Sequence, residues 1–405
     1  MQLVAYGAQD VYLTGNPEVT FFQAKYKRHT NFAMENIEQT VNGTAADSGR
    51  VSGTVARNGD LVGDMYVELK VKSGIDEAGA AWVAERAINN VELSIGGQRI
   101  DKQYQKWWRL YTELYLDESK KATYGKMTSG VADKTVYLPL YFFFNRNPGL
   151  YLPLIALQYH EVRLDFDLSA HFDEWLDTST FKVWANYIYL DTEERRRFAQ
   201  KGHEYLIEQV QHTGADTVDS GSTKQVRLSY NHPVKELVWC FSNTQTQNSM
   251  WNFTTESTDA SVKLHTAAGD SNCLVSTSTF GAPMLGLGEV GGSASVAEDS
   301  VGPLKTFMLV LNGQDRFKEQ KGKYFTQVQP FQHHTGSPYA GVYAYSFALK
   351  PEEHQPTGTC NFSRIDNAQV AVTMKSTDAL NLSMFAVNYN VLRVQSGMGG
   401  LAFSN

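Results

Sequence analysis

The second half of this chain echoes the first. Leu93-Ser-Ile-Gly-Gly-Gln98-Arg99-Ile-Asp101 reads as a strand, a Gly turn and a second short strand, and the phrase returns as Leu309-Val-Leu-Asn-Gly-Gln314-Asp-Arg316-Phe317. Gln98 and Gln314 stand 216 positions apart. Two further echoes keep the same order. Val136-Tyr137 is matched by Val342-Tyr343, and Trp184-Ala-Asn-Tyr187 by Phe385-Ala-Val-Asn-Tyr389, at Tyr-to-Tyr offsets of 206 and 202. Collinear matches at nearly constant offset point to duplication of a whole domain, and the period is too long for a solenoid or a propeller blade. The 405 residues therefore divide into two copies of one module, each of a size that suits one hydrophobic core.

The module reads as all-β. The chain has 21 Tyr and 21 Phe, set in short alternating runs with β-branched residues that fit a pleated, half-buried surface. Net charge is −7 and charged residues are 20% of the chain, so the bulk surface carries no electrostatic footprint for nucleic acid. Cys240, Cys273 and Cys360 are odd in number and widely spaced. They form neither a disulfide framework nor a CxxC pair, and suit a reducing compartment. Met1 to Asp10 lacks the basic and apolar regions of a signal peptide. The most apolar stretch, Tyr137 to Tyr159, is broken by Asn145-Arg-Asn-Pro-Gly149. It reads as a hairpin-like pair of strands and not as a membrane span.

Residues 1–24 are polar and turn-rich and read as an arm, with Phe21-Phe22 as an apolar hook. A first module is expected over 25–210, a polar linker over 211–224 and a second module over 225–405. Strands are expected from Phe32, over Arg50 to Val55 and over Asp64 to Val71; Asn231 to Phe241 reads as the second-half counterpart of the strand near Asn31. Lys102 to Asp117 is the one convincing helix, its aromatics at helical spacing and packed on the sheets. A Ser/Thr/Gly-rich insertion over about 243–300 reads as an exposed, functional loop. About eight short strands per module, with sandwich-like turn spacing, imply two tandem jelly rolls.

Specific blocks carry a resemblance. Tyr6-Gly-Ala-Gln-Asp-Val-Tyr-Leu-Thr-Gly-Asn-Pro17, Lys27-Arg-His-Thr-Asn-Phe-Ala-Met-Glu35 and Pro153-Leu-Ile-Ala-Leu-Gln-Tyr-His-Glu-Val162 resemble the major capsid proteins of large eukaryotic DNA viruses, nearest to those of chlorella viruses. So do Leu311 to Phe317, Tyr345 to Pro351, Gln355 to Asn367 and Ser396 to Leu401. The resemblance implies a double jelly roll with few short helices, and a homotrimer forming a pseudo-hexagonal capsomer of an icosahedral shell. It further implies neighbouring capsomers, minor capsid proteins and penton proteins as partners, covalent glycans, and an internal membrane nearby that the chain does not span. The expected location is the virion, with assembly in the host cytoplasm.

No G-x-S-x-G elbow, P-loop or HExxH motif occurs, and neither catalytic residues, a cofactor nor a metal site is expected. His333 and His334 are adjacent, so in a strand they would face opposite sides; they read as turn or interface histidines. Glu193-Glu-Arg-Arg-Arg197 reads as a solvated face or an inter-subunit ion pair. Sequons stand at Asn42, Asn252, Asn361 and Asn381, of which Asn252, in the insertion, is the most accessible candidate for glycosylation. A shell protein is the leading reading. A virion-associated carbohydrate-binding double jelly roll, with Trp251 as its sugar platform, and a capsid paralogue at special positions are the alternatives. For assembly, Tyr6, Phe21 and Phe22 are the expected anchors of the arm. The helix 102–117 and the tail Gly397 to Phe403 are further interface candidates.

Overall fold

Both copies of the echoed Gly turn are two-residue hairpin turns. Gly96 and Gly97 have φ of 57° and 82°, and Asn312 and Gly313 have 52° and 76°. Two successive positive φ values make a type I′ turn, whose twist matches that of the flanking strands. Ile95 pairs with Gln98 and Leu311 with Gln314, so the two hairpins share one register. The structure, a computed structural model, describes residues 7–73, 82–130, 133–219, 221–242, 303–336, 338, 341–375 and 379–403.

The duplication continues strand by strand. The first module contains β1 (Phe32–Gln39), β2 (Arg50–Thr54), β3 (Leu61–Lys70), β4 (Ile88–Ile95), β5 (Gln98–Tyr104), β6 (Thr135–Pro139), β7 (Val162–Leu168) and β8 (Lys182–Leu190). The second contains β9 (His203–Val218), β10 (Thr223–Leu228), β11 (Pro233–Ser242), β12 (Leu304–Leu311), β13 (Gln314–Asp315), β14 (Val342–Ser346), β15 (Ala368–Met374) and β16 (Leu380–Gln395). The first module's sheets run β1-β8-β3-β6 and β2-β7-β4-β5; the second module's run β9-β16-β11-β14 and β10-β15-β12-β13. Each order becomes its counterpart when eight is added to every label. Two antiparallel sheets per module, in this order, make an eight-stranded jelly roll. A two-residue strand is added to each of the four sheets, and the four-residue Met398–Leu401 to one of them, without changing the order.

Alternation builds each core. In β3, Met65, Val67 and Leu69 are buried while Tyr66, Glu68 and Lys70 are half-buried, the period-2 pattern of a sheet with one face inward. Buried Val67, Leu93, Phe166 and Val183 belong to the first core. Trp239, Phe307, Phe325 and Tyr343 belong to the second, where the Trp239 and Phe307 rings stack at 4.3 Å. The strand β11 departs from alternation: every residue after Pro233 is buried. Its outer face is covered by a helix of the other module, as described below.

The offset between equivalent residues is not constant. Leu61 and Pro233, which open β3 and β11, are 172 positions apart, whereas Ile88 and Leu304, which open β4 and β12, are 216 apart. The intervening stretch has 17 residues in the first module and 61 in the second, which accounts for the whole change. The expected insertion thus sits between β11 and β12. Its residues, with Trp251 and Asn252, lie outside the described set, as does Tyr6.

Several expectations are corrected. Residues 211–218 are not linker but the second half of β9, paired from His203 with Val394 to Val218 with Leu380. A strand hydrogen-bonded on one side, with much of its surface in solvent, needs no apolar alternation and so reads as polar loop. The counterpart of β1 is consequently β9, and Asn231 to Phe241 corresponds to β3. The Tyr137/Tyr343 echo is one residue out of register. Val67 pairs with Leu138 and Trp239 with Tyr343, so Leu138 is the true counterpart of Tyr343. Such a slip exchanges faces: Tyr343 is buried in the core, Tyr137 points out. The stretch from Tyr137 to Tyr159 is not a hairpin. After β6 it forms the short helix Phe143–Arg146 and a 3-10 turn at Pro148–Leu150, because a short continuous apolar run does not distinguish buried strand from buried helix. Finally, α1 spans Gln105–Tyr115, residues 102–104 belonging to β5; α2 (Glu118–Thr128) and α3 (Thr192–Gln200) are further helices.

Candidate functional site

Among the described residues the best-defined surface is the seam between the modules. Trp107, Leu110, Tyr111 and Leu114 recur at helical spacing on α1. With Trp82 and Tyr124 they pack against Val238, Cys240, Val342, Ala344, Phe385 and Val387 of the second module. Those six are the outward residues of β11, β14 and β16. Burying each large apolar side chain contributes about 1.5–3 kcal/mol, so α1 works as an internal wedge between the modules. Trp108, one residue on, faces the first core and donates its indole N–H to Pro139 O at 2.9 Å.

Polar groups fix the wedge. Tyr115 donates its hydroxyl to Glu236 Oε2 at 2.5 Å. A π-helical turn, Tyr324–Val328, runs into the helix α4 (Gln329–His333). Just beyond it, the His334 ring sits between Glu236, bonded to Nε2, and Glu352, 3.1 Å from Nδ1. Burial opposes a charge on His334, yet the two carboxylates prevail and raise it to about 9. Gly336 lies over the end of α1, where a Cβ would come within 2.8 Å of the carbonyl oxygens of Glu113, Leu114 and Leu116. No side chain fits there without moving backbone.

A second polar knot centres on Glu208 of β9. Lys235 Nζ is 2.7 Å from Glu208 Oε1, Arg146 Nη1 is 3.1 Å from Oε2, and His354 Nδ1 is 3.7 Å from Oε1. Burial alone would raise the Glu208 carboxyl, but Arg146 and Lys235 overcome it and hold the group down at about 2. Lys235 moves down too, because its own burial outweighs the carboxylate beside it. The pair therefore returns less net stability than the Glu208 shift alone implies. Asp101 accepts backbone N–H groups from Val210 and Lys102 at 3.1 and 2.9 Å, yet burial pushes it up to about 7.

The tail also belongs to this seam. Met398–Leu401 pairs with the end of β16, and Leu401 N donates to Gln98 Oε1 of the first module at 3.1 Å. The tail and α1, expected as contacts between subunits, thus join the two halves of one chain.

The arm behaves differently. Between residues 7 and 31 it holds one short helix, Val11–Thr14, and every residue but Asp10 is exposed. Tyr12, Phe21, Phe22 and Tyr26 are 92, 92, 99 and 93% exposed. Of the expected anchors, Phe21 and Phe22 are on this arm; they are not brought near the seam. The charge run on α3 is exposed except for half-buried Glu194, and its Arg195 reaches back to Asp60 at 3.0 Å. Asn42 and Asn361 are exposed, and Asn381 is half-buried, accepting a hydrogen bond from Thr217 at 2.8 Å. His333 meets the Leu349 carbonyl at 3.0 Å. Among the described residues no group of His, Cys, Asp and Glu could hold a metal ion, and no helix is long and apolar enough to cross a membrane.

Comparison with known proteins agrees with this architecture. Residues 20–191 match the family model for the major capsid protein N-terminus, and residues 194–400 that for the large eukaryotic DNA virus major capsid protein. The boundary falls at the start of α3, just before β9. The major capsid protein of Paramecium bursaria Chlorella virus 1 is 44% identical over 100% of this chain and 99% of its own. That of Phaeocystis pouchetii virus is 40% identical with the same coverage. The crystal structure of PBCV-1 VP54 superposes with a TM-score of 0.80 at 39% identity, over 95% of this chain and 100% of that one. The Faustovirus major capsid protein, 11% identical with a TM-score of 0.70, shares the fold. Two jelly rolls of one strand order, joined through an aromatic wedge and matched along their whole length, place this chain in the family of large eukaryotic DNA virus major capsid proteins.

Proposed function

We propose that this chain builds an icosahedral virion shell as a homotrimeric capsomer, in which three copies contribute six jelly rolls to a pseudo-hexagonal ring. The observation that carries the reading is the repeated strand order in two modules held together by α1. A doubled domain lets three chains present six near-equivalent blocks to six neighbours. The role is structural and involves no catalytic step. A related capsid has been described as a quasi-atomic model of the PBCV-1 virus capsid, with a TM-score of 0.78 to this chain at 39% identity.

The exposed arm then serves contacts beyond the trimer, with neighbouring capsomers or with minor capsid and penton proteins, through Tyr6, Phe21 and Phe22. Glycans belong on the outer loops of the second module, Asn252 being the candidate position. Assembly takes place in the host cytoplasm over an internal membrane that the chain does not enter. Light scattering on the native protein tests the central point. A mass near three times 45.3 kDa, plus any glycan, is expected; a stable monomer at assembly concentrations would overturn the capsomer reading.

A further inference from the structure

The two modules use one sheet face differently. The registers make Tyr66 equivalent to Val238, Glu68 to Cys240, Tyr137 to Val342, Pro139 to Ala344 and Trp184 to Phe385. The second-module members of these pairs are all buried beneath α1 and its neighbours, at 0 or 1% exposure. The first-module members are all half-buried, and they line an open groove of about 700 Å³ whose further walls include Leu116 and Tyr141. Among the described residues nothing of this chain fills that groove.

The covering element has a counterpart too. In the first module α1 lies between β5 and β6; in the second, the segment Tyr324–Val328 with α4 lies between β13 and β14. The first covers the module that follows it in the chain. Among the described residues the second covers no further jelly roll. Its outer side presents Val328 and Phe331, 39 and 87% exposed and three residues apart, hence on one face of the turn.

From these matched features we infer that the Tyr324–His333 segment of one copy seats Phe331 in the Tyr66, Tyr137 and Trp184 groove of a second copy, repeating between chains the contact that α1 makes within one. The inference rests on the trimer reading and names the surfaces that make it. Each chain offers one segment and one groove. The contact is therefore heterologous and passes from chain to chain until the ring closes.

The chemistry of the groove suits a face that meets water before assembly. Where the permanently covered face uses Val, Cys, Ala and Phe, the open one uses Tyr, Glu, Pro and Trp. Tyrosine and tryptophan combine large apolar bodies with polar tips, and they are enriched at protein interfaces. The groove is also ordered in advance: Trp184 Nε1 donates to Glu68 Oε2 at 2.7 Å, and the Tyr66 and Tyr137 rings meet edge to face at 5.7 Å. Less ordering entropy is then lost on binding.

Two experiments on the full chain test this. Replacing Phe331 by the photo-cross-linking residue p-benzoylphenylalanine should give covalent dimers on irradiation, with adducts mapped to β3, β6 or β8 of another copy. Adducts confined to other regions would overturn the inference. The substitution Phe331→Asp should weaken association about 30-fold or more per contact. Its circular dichroism should stay unchanged, because the side chain is exposed. Wild-type trimers that survive Phe331→Asp would sink this inference alone. A wild-type chain that stays monomeric would remove the trimer reading and this inference with it.

Discussion

Glu208→Gln isolates the electrostatic part of the seam. Its carboxylate lies within 2.7 Å of Lys235 and 3.1 Å of Arg146, and all three are largely removed from water. The folded carboxyl titrates at about 2 against an ordinary 4.5, a difference worth roughly 3 kcal/mol at neutral pH. Removing one partner of a buried pair costs about 3–5 kcal/mol, because the other charge stays buried. The downward shift of Lys235 argues for the lower end, and glutamine keeps one acceptor. A loss of about 3 kcal/mol corresponds to a fall of roughly 6–12 °C in Tm for a cooperative unit of this size. Differential scanning calorimetry of both proteins at neutral pH measures it directly. Because the folded value lies below the unfolded one, the contribution is complete above pH about 4.5 and is lost as pH falls through about 2. The gap between wild type and Glu208→Gln should therefore close on acidification. Equal melting temperatures at neutral pH, or a gap that ignores acid, would refute the reasoning.

His334 predicts the opposite pH dependence. Its folded value of about 9 lies above the ordinary 6.5, so its contribution is present below about 6.5 and is lost as pH rises through about 9; His334→Gln should melt lower than wild type at pH 6 and converge with it in alkali. Gly336→Ala would force a Cβ to within 2.8 Å of three backbone oxygens at the end of α1, and should cost about 1–3 kcal/mol, read as a lower denaturant midpoint; an unchanged midpoint would mean that the loop shifts freely. Deleting residues 1–22 should leave trimers intact by light scattering while shells fail to grow in electron micrographs, since the described arm residues are exposed apart from half-buried Asp10; normal shells would refute its assembly role.

Much of this protein was legible in its residues. The repeated turn is legible because a type I′ hairpin needs two positive φ values, and few residue pairs besides Gly-Gly and Asn-Gly supply them at Gly96-Gly97 and Asn312-Gly313. From that signal and its collinear partners came two β modules, and from the longer blocks came the family. The helix α1 was visible through its aromatic spacing. Its role was not: Trp107 and Trp108 are neighbours in sequence, yet one packs on the second module and the other in the first core. Periodicity shows that a face is apolar without showing what covers it.

Pairing and burial were decided by tertiary structure. Residues 211–218, the second half of β9, read as linker because an edge strand bonded on one side tolerates polar residues throughout. The echo at Tyr343 stands one residue out of register because like residues face opposite ways in the two copies, and only the hydrogen-bond ladder sets the register. Glu208, Lys235, Arg146 and His354 are scattered over the chain, and no spacing rule links them. They meet because β9, β11, the helix Phe143–Arg146 and the loop holding His354 converge at the seam, where burial makes their charges depend on one another. The duplicated module, its local turns and its family can be read from the residues alone, because they rest on short-range geometry or on long unbroken blocks of the chain. Which face is closed by the chain itself and which is left for another copy follows only from the three-dimensional packing, because the same sheet face is written in different residues in the two modules.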